Sequence, residues 1–132
     1  LPKKMVLFAQ VFGSLFGLLA VVFGAFGAHA LKKTFTDDQL KSFETGVKYQ
    51  MYHALVLLML GFNFNLDTGN QKAMIYCFVI GVFLFSFSIY GLTLTGSRGN
   101  KWKFLGPITP LGGLLLVGGW ALLIYNLVGN FI

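Results

Sequence analysis

The chain has 132 residues, of which 56% are hydrophobic and only 11% are charged. Soluble domains carry about 25% charged residues, so this composition excludes an ordinary water-soluble enzyme or binding domain. The net charge is +6, but no basic run is interleaved with polar residues, so the positive charge favours anionic membrane headgroups over nucleic acid as its partner.

The length indicates a single domain over residues 1–132. Its first element is an uncharged apolar run at about residues 5–31, longer than the roughly 20 residues that a membrane-spanning helix needs. Lys3 and Lys4 before the run, and Ala28-His29-Ala30 at its end, resemble a signal peptide. Because signal cores are only about 7–15 residues long, we predict a retained transmembrane helix instead.

The second helix is predicted to begin after Thr36, where Thr36-Asp37-Asp38-Gln39 has the pattern of a capping box. Its first part is amphipathic, because apolar side chains alternate at helical spacing with the charged side chains of Lys41, Glu44 and Lys48. We expect this N-terminal extension to lie at the level of the headgroups and the spanning part to cover about residues 45–63.

Two polar segments separate the remaining helices. Residues 63–71 form a predicted turn before a third span at about residues 72–95, and residues 96–103 form a loop before a fourth at about 107–131. Thr109 is predicted to cap the fourth helix, with Pro110 at its first position. The predicted fold is therefore all-α: a bundle of four transmembrane helices with an amphipathic N-terminal extension on the second.

Four crossings would place both termini on one side of the membrane. Lys3, Lys4 and Lys72 would lie on that side, and the other lysines and the arginine would lie on the side of the first and third loops. By the positive-inside rule, we predict that loops 1 and 3 of this multi-pass protein lie in the cytoplasm.

Small residues recur at helical spacing along the spans, as they do where helices pack closely in lipid. The predicted packing glycines are Gly13, Gly17, Gly24, Gly27, Gly91, Gly112 and Gly113. Close packing through glycine would leave most of the fifteen Phe side chains free to face lipid. The glycines fit packing within one chain and packing in a homo-oligomer equally well.

The polar residues of the spans are predicted to gather toward loops 1 and 3. The members of this predicted cluster are His29, Glu44, Lys48, Tyr49, Gln50, His53, Ser86, Ser88, Tyr90 and Thr109. Gln50 and His53 share a helix face with Gly46. A histidine as deep as His53 is a functional candidate, although the favoured interpretation is a neutral side chain hydrogen-bonded to a neighbouring helix.

Metal and cofactor sites are not expected. Zinc requires three or four ligands, and Glu44 is the one plausible addition to the two histidines, because the sole cysteine, Cys77, lies toward the other side. Two axial histidines could hold a haem, but nothing else in the sequence supports one. Glu44 and Lys48 are most simply an ion pair on the helix surface.

Two further interpretations concern chemistry and lipid. The sequence contains none of the common nucleotide-binding, hydrolase or zinc-protease motifs, so we predict a protein that is not an enzyme. An anionic headgroup could bind at the start of the fourth helix, near Arg98, Lys101 and Lys103. A plain helix start beside lipid phosphates is the simpler interpretation.

Four stretches of the chain resemble a known family in combination: residues 24–31 (GAFGAHAL), 45–53 (TGVKYQMYH), 85–90 (FSFSIY) and 106–113 (GPITPLGG) with Gly119-Trp120. Together they resemble the bacterial membrane-protein family called domain of unknown function 423. The resemblance implies a small four-helix, multi-pass protein of the bacterial inner (plasma) membrane and supplies no activity. Phe87 departs from the family pattern, which usually has glycine there.

The leading functional prediction is a non-enzymatic accessory, assembly or scaffolding component, in contact with membrane lipids and in a homo-oligomer or a larger membrane complex. One alternative is a transporter or channel for protons, ions or small solutes that uses a cavity at His53. The other is a lipid- or quinone-binding subunit of a larger complex.

Overall fold

The computed structural model describes residues 3–129, apart from the side chain of Ala28. Over these residues it is helical without strands, which confirms the all-α prediction. Its helices are α1 (Lys4–Leu31), α2 (Asp37–Asn63), α3 (Gly69–Ser97) and α4 (Ile108–Val128), with a short 3-10 turn at Lys103–Leu105 before α4. The last residues of the predicted fourth span lie outside the described part.

Within residues 3–129, three helical segments are long and apolar enough to cross a membrane. They are Lys4–Leu31, Gly69–Ser97 and Lys103–Val128. Helix α2 is not among them, although it is 27 residues long, because charged side chains in its first half and the polar side chains of Gln50 and His53 near its middle make it less apolar. Length and composition therefore give three candidate spans in the part of the chain that the structure describes.

The two capping boxes fix where α2 and α3 begin. The box predicted at Thr36 is confirmed: the Gln39 backbone N–H donates to the Thr36 hydroxyl at 3.1 Å, and the Gln39 side chain accepts from the Thr36 N–H at 3.0 Å. A second box, between Thr68 and Gln71, starts α3 at Gly69. The predicted start near residue 72 is therefore three residues late, because the box lies among residues typical of a turn.

The predicted cap of α4 at Thr109 is wrong. Pro107 is the residue before the helix and already has helical backbone angles, so Ile108 is the first helical residue. Thr109 and Pro110 lie within the first turn, where a proline removes no needed backbone donor. The Thr109 hydroxyl instead hydrogen-bonds the Ser88 hydroxyl of α3.

Helix α3 is the centre of the arrangement. In its most apolar stretch 56% of the residues are buried, against 22% in α1 and 17% for the segment containing α4. Helix α2 packs along the whole of α1, with Phe43 against Gly27 near one end and Gly61 against Gln10 near the other. Helix α4 packs on α3, and among the described residues no Cα atom of α4 lies within 8 Å of one in α2.

Two π-helical turns interrupt the long helices. They cover Phe23–Gly27 in α1 and Phe83–Phe87 in α3, and neither was predicted from the sequence. Both lie beside the same part of α2: Gly24 faces Val47, and Ser86 hydrogen-bonds the Gly46 carbonyl. A π turn adds one residue and so rotates the rest of the helix, and such turns are frequent at functional sites.

The phenylalanines predicted to be free to face lipid divide between the surface and the interior. In the described part of the chain only four are exposed, namely Phe26, Phe62, Phe83 and Phe104. Phe16 and Phe78 are fully buried, because glycines on facing helices leave room for rings: a Cβ atom at Gly119 would lie 2.8 Å from the Phe78 ring. Phe87 is half-buried, and its ring centroid lies 5.5 Å from that of Tyr90.

The predicted packing glycines differ in how closely they are approached. A Cβ atom at Gly112 would collide with the backbone of Leu84 and Phe85, and one at Gly13 would lie 2.9 Å from the Ala54 carbonyl oxygen. Gly91 is closely packed too, against the side chain of Leu105. At the other predicted positions an added Cβ atom would lie at or slightly below ordinary van der Waals distance from its neighbours. These positions are Gly17, Gly24, Gly27 and Gly113.

We expect Gly112→Ala to destabilise the protein by about 1–3 kcal/mol or more, because the new methyl group would meet backbone that cannot rotate away. Gly113→Ala is the matched control, since a Cβ atom there would lie 3.7 Å from the Phe85 ring. Thermal unfolding in detergent measures both. Equal melting temperatures for the two variants would contradict the close approach of α4 to α3.

Candidate functional site

A buried hydrogen-bond network joins α1, α2 and α3 at the middle of α2. The Gln50 side chain is fully buried; its Nε2 donates to the Phe16 carbonyl at 2.8 Å, and its Oε1 accepts from the Tyr90 hydroxyl at 2.7 Å. The Ser86 hydroxyl donates to the Gly46 carbonyl at 2.7 Å. These five residues are the central network, and each hydrogen bond in it joins two different helices.

Glycine at position 46 is what allows α2 to approach this closely. A Cβ atom there would lie 2.8 Å from the Tyr90 ring and 3.4 Å from the Ser86 carbonyl oxygen. With no side chain at this position, the ring lies against the backbone of α2 and its hydroxyl reaches Gln50. The central network therefore depends on one glycine as much as on its polar members.

His53 connects α2 to α4 through Trp120. Its Nδ1 lies 2.7 Å from the Tyr49 carbonyl oxygen, and the Trp120 indole N–H donates to its Nε2 at 3.1 Å. A carbonyl oxygen only accepts and an indole N–H only donates, so this geometry corresponds to a neutral imidazole with its proton on Nδ1. We call this contact the His53–Trp120 bridge.

The hydrogen bonds to the Tyr49 carbonyl and to Trp120 occupy both ring nitrogens of His53. The Nε2 lone pair is the one that would bind a metal or take up a proton, and in this arrangement it faces the indole N–H. Across residues 3–129 no three His, Cys, Asp or Glu side chains come together as ligands for a metal ion would. The arrangement is suited to holding two helices together.

A third polar contact links α3 to α4 nearer their loop ends. The hydroxyls of Ser88 and Thr109 hydrogen-bond each other, and that of Ser88 also donates to the Phe85 carbonyl at 2.9 Å. Throughout the part of the chain that the structure describes, no buried side-chain nitrogen or oxygen lacks a hydrogen-bond partner.

The ten residues predicted to form one cluster near the loops belong to different contacts in the structure. Gln50, Ser86 and Tyr90 belong to the central network, Tyr49 and His53 to the bridge, and Ser88 and Thr109 to the contact near the loops. The other three, His29, Glu44 and Lys48, are exposed. Gln50 lies at the midpoint of α2, so the network is central along this helix.

The predicted ion pair between Glu44 and Lys48 is absent; the one salt bridge within residues 3–129 joins Lys3 to Asp67. An exposed pair gains little energy from holding two long side chains in one geometry. Sequence reasoning also missed Trp120 as a site residue. The signal was present, because an indole N–H inside an apolar span requires an acceptor.

The family model described as "Protein of unknown function (DUF423)" matches residues 23–113 of the chain. This range contains Gly46, Gln50, His53, Ser86 and Tyr90. The chain belongs to this family. The family resemblance noted in the sequence is thereby confirmed.

Relatives in this family are named as membrane proteins. A UPF0382 membrane protein of Staphylococcus haemolyticus is 40% identical over 88% of this chain and 91% of its own length. The UPF0382 membrane protein YwdK of Bacillus subtilis is 37% identical over 86% and 90%, and one from the yeast Schizosaccharomyces pombe is 38% identical over 82% and 91%. The family therefore extends beyond bacteria. No solved structure matches this chain.

We expect Tyr90→Phe to lower the free energy of unfolding by about 1–3 kcal/mol, because it leaves the buried Gln50 Oε1 without a donor. Tyr125→Phe is the control, since Tyr125 is exposed. A double-mutant cycle with Gln50→Leu should show that the two effects are not additive. Additive effects, or equal losses for Tyr90→Phe and Tyr125→Phe, would contradict the hydrogen bond.

Proposed function

We propose that this protein is a non-enzymatic membrane protein, an accessory, assembly or scaffolding component whose buried polar groups hold its helices in one arrangement. The observation that carries the proposal is the complete pairing of buried polar atoms in the described part of the chain. In a catalytic or transport site some polar groups are left unpaired to meet the substrate. Here the donors and acceptors of the central network and of the bridge are paired within the protein.

We further propose that the protein crosses the membrane four times, with α2 as the second crossing. Support comes from the packing of α2 along the whole of α1, from Gly27 to Gln10. Because α1 is a candidate span, we expect a partner of the same extent to cross with it. The charged side chains in the first half of α2 are exposed, at the end where headgroups and water can solvate them.

The proposed location is the inner (plasma) membrane of a bacterium, with loops 1 and 3 in the cytoplasm. The excess of positive residues in those loops supports this orientation. The outward faces of α1 and α4 carry large exposed apolar side chains, such as Leu18, Leu114 and Val117. Such faces suit contact with membrane lipids, a second copy of the chain or a larger membrane complex.

Labelling of single cysteines tests the topology. Thr34→Cys in loop 1, Asn70→Cys at the start of α3 and Asn100→Cys in loop 3 lie at exposed positions, and each is placed in a Cys77→Ser background. With four crossings and loops 1 and 3 in the cytoplasm, a membrane-impermeant thiol reagent labels Thr34→Cys and Asn100→Cys only in inverted vesicles. It labels Asn70→Cys only from the outer side of the membrane, in cells whose outer envelope lets the reagent through. Labelling of Thr34→Cys and Asn70→Cys from the same side would show that α2 does not cross.

A second experiment separates the structural role of His53 from transport. We expect His53→Ala to lower the free energy of unfolding by about 1–3 kcal/mol, because it leaves the Trp120 N–H without an acceptor. Proton and ion flux into liposomes should be the same for the variant and the parent protein. Trp102→Phe is the control, because that tryptophan lies in the loop before α4.

The opposite result would support the transport alternative. An unchanged melting temperature for His53→Ala, together with loss of a flux that the parent protein carries, would assign His53 to a conduction pathway. It would also contradict the proposal that the bridge serves to hold α2 and α4 together.

A further inference from the structure

An open cavity of about 540 Å³ lies among the first turns of α2 and α4 and the last turns of α3. Its volume falls in the range of about 300–1,000 Å³ that small-molecule sites occupy. We call it the polar cavity, because most of the side chains that line it can form hydrogen bonds; those used below are Asp38, Gln39, Thr45, Thr93 and Lys101. It lies outside the central network and the His53–Trp120 bridge.

The cavity exists because α2 and α4 both pack on α3 and not on each other. A groove therefore runs between them with α3 at its back. The His53–Trp120 bridge crosses this groove about halfway along its length. The polar cavity lies at the loop end of the groove, where α2 and α4 begin and α3 ends. If the helices cross the bilayer as proposed above, this end lies at the level of the lipid headgroups.

One side of the cavity offers positive charge and hydrogen-bond donors. Lys101 and Gln39 flank Gly96: a Cβ atom there would lie 4.0 Å from Lys101 Cγ and 3.5 Å from Gln39 Nε2. Ammonium and amide N–H groups both donate to phosphate oxygens. A side chain on residue 96 would fill the space between them, and glycine leaves it open.

The cavity also offers acceptors. Thr45 and Thr93 donate their hydroxyl protons to the carbonyls of Lys41 and Ile89, at 3.0 and 2.9 Å, so each is left with oxygen lone pairs as its remaining hydrogen-bonding capacity. Asp38 adds a carboxylate. Asp38 is the acceptor that suits a primary ammonium group, because its carboxylate combines a negative charge with oxygen atoms that accept N–H donors. Thr45 lies about two turns farther along α2, so its hydroxyl lines another part of the cavity.

Opposite charges in one cavity select for a ligand that carries both. Asp38 and Lys101 form no salt bridge with each other; within residues 3–129 the one such bridge joins Lys3 to Asp67. A purely anionic ligand would bring its charge near Asp38, and a purely cationic one near Lys101. A phosphate joined to a primary ammonium by a short chain satisfies both sides.

The groove beyond the cavity suits an acyl chain. Tyr49 lies one turn along α2 from Thr45, and its ring centroid is 4.8 Å from that of Phe85. Tyr49 and Trp120 are 40% and 42% exposed, so apolar ring surface continues from the cavity toward the bridge. A lipid bound here would place its headgroup among polar side chains and a chain against aromatic ones.

We propose that the polar cavity binds the phosphoethanolamine headgroup of an aminophospholipid, with the ammonium at Asp38 and the phosphate at Lys101 and Gln39. The proposal depends on the four-crossing topology but not on the scaffolding role. Topology is tested separately by the cysteine labelling, so failure of one can be distinguished from failure of the other.

The test is thermal unfolding of the purified full chain in detergent with added lipid. Phosphatidylethanolamine should raise the melting temperature by several degrees, since a ligand that binds only the folded state stabilises it. Phosphatidylcholine with the same acyl chains should give a much smaller shift, because its quaternary ammonium has no N–H to donate. Asp38→Asn and Lys101→Gln should each remove most of the phosphatidylethanolamine shift.

Neighbouring charges provide matched controls. Asp37→Asn and Lys103→Gln make the same chemical changes next to the cavity, at residues that do not line it, and both should keep the shift. Equal shifts with phosphatidylethanolamine and phosphatidylcholine, a larger shift with phosphatidylglycerol, or equal losses in the control variants would overturn the proposal. An equal shift with free phosphoethanolamine would assign the cavity to a water-borne ligand and overturn the lipid assignment.

Discussion

A polar group buried between helices has no water to hydrogen-bond, so it must find its partner in the protein. Gln50 meets this constraint by bonding the Phe16 backbone on one side and the Tyr90 hydroxyl on the other. That single amide thereby fixes α2 relative to both α1 and α3. The rest of the bundle is arranged around these contacts.

Close packing of backbones makes the network possible. Gly46 allows Tyr90 to lie against α2, and Gly112 brings α4 against the backbone of α3. Small residues are enriched where membrane helices meet because dispersion contacts, not release of water, drive their association. The remaining gaps are filled by phenylalanine rings, which is why so few of them face outward.

The same arrangement separates two kinds of polar site. The central network and the His53–Trp120 bridge are closed, since their donors and acceptors satisfy one another. The polar cavity is open, and it carries an unpaired acid and base among residues 3–129. A small protein can thus hold its fold with one set of polar residues and leave another set unpaired in an open cavity.

The sequence by itself determined the helices and the capping box at Thr36, because hydrophobic length and local hydrogen bonding act between residues near in the chain. It identified Gln50, His53 and Tyr90 as candidates, but it could not assign their partners. Only the tertiary structure decided that Thr109 bonds Ser88 instead of capping α4, that π turns adjust α1 and α3, and that His53 meets Trp120. Those contacts depend on how helices distant in sequence rotate and approach, and helical spacing within one segment carries no information about that.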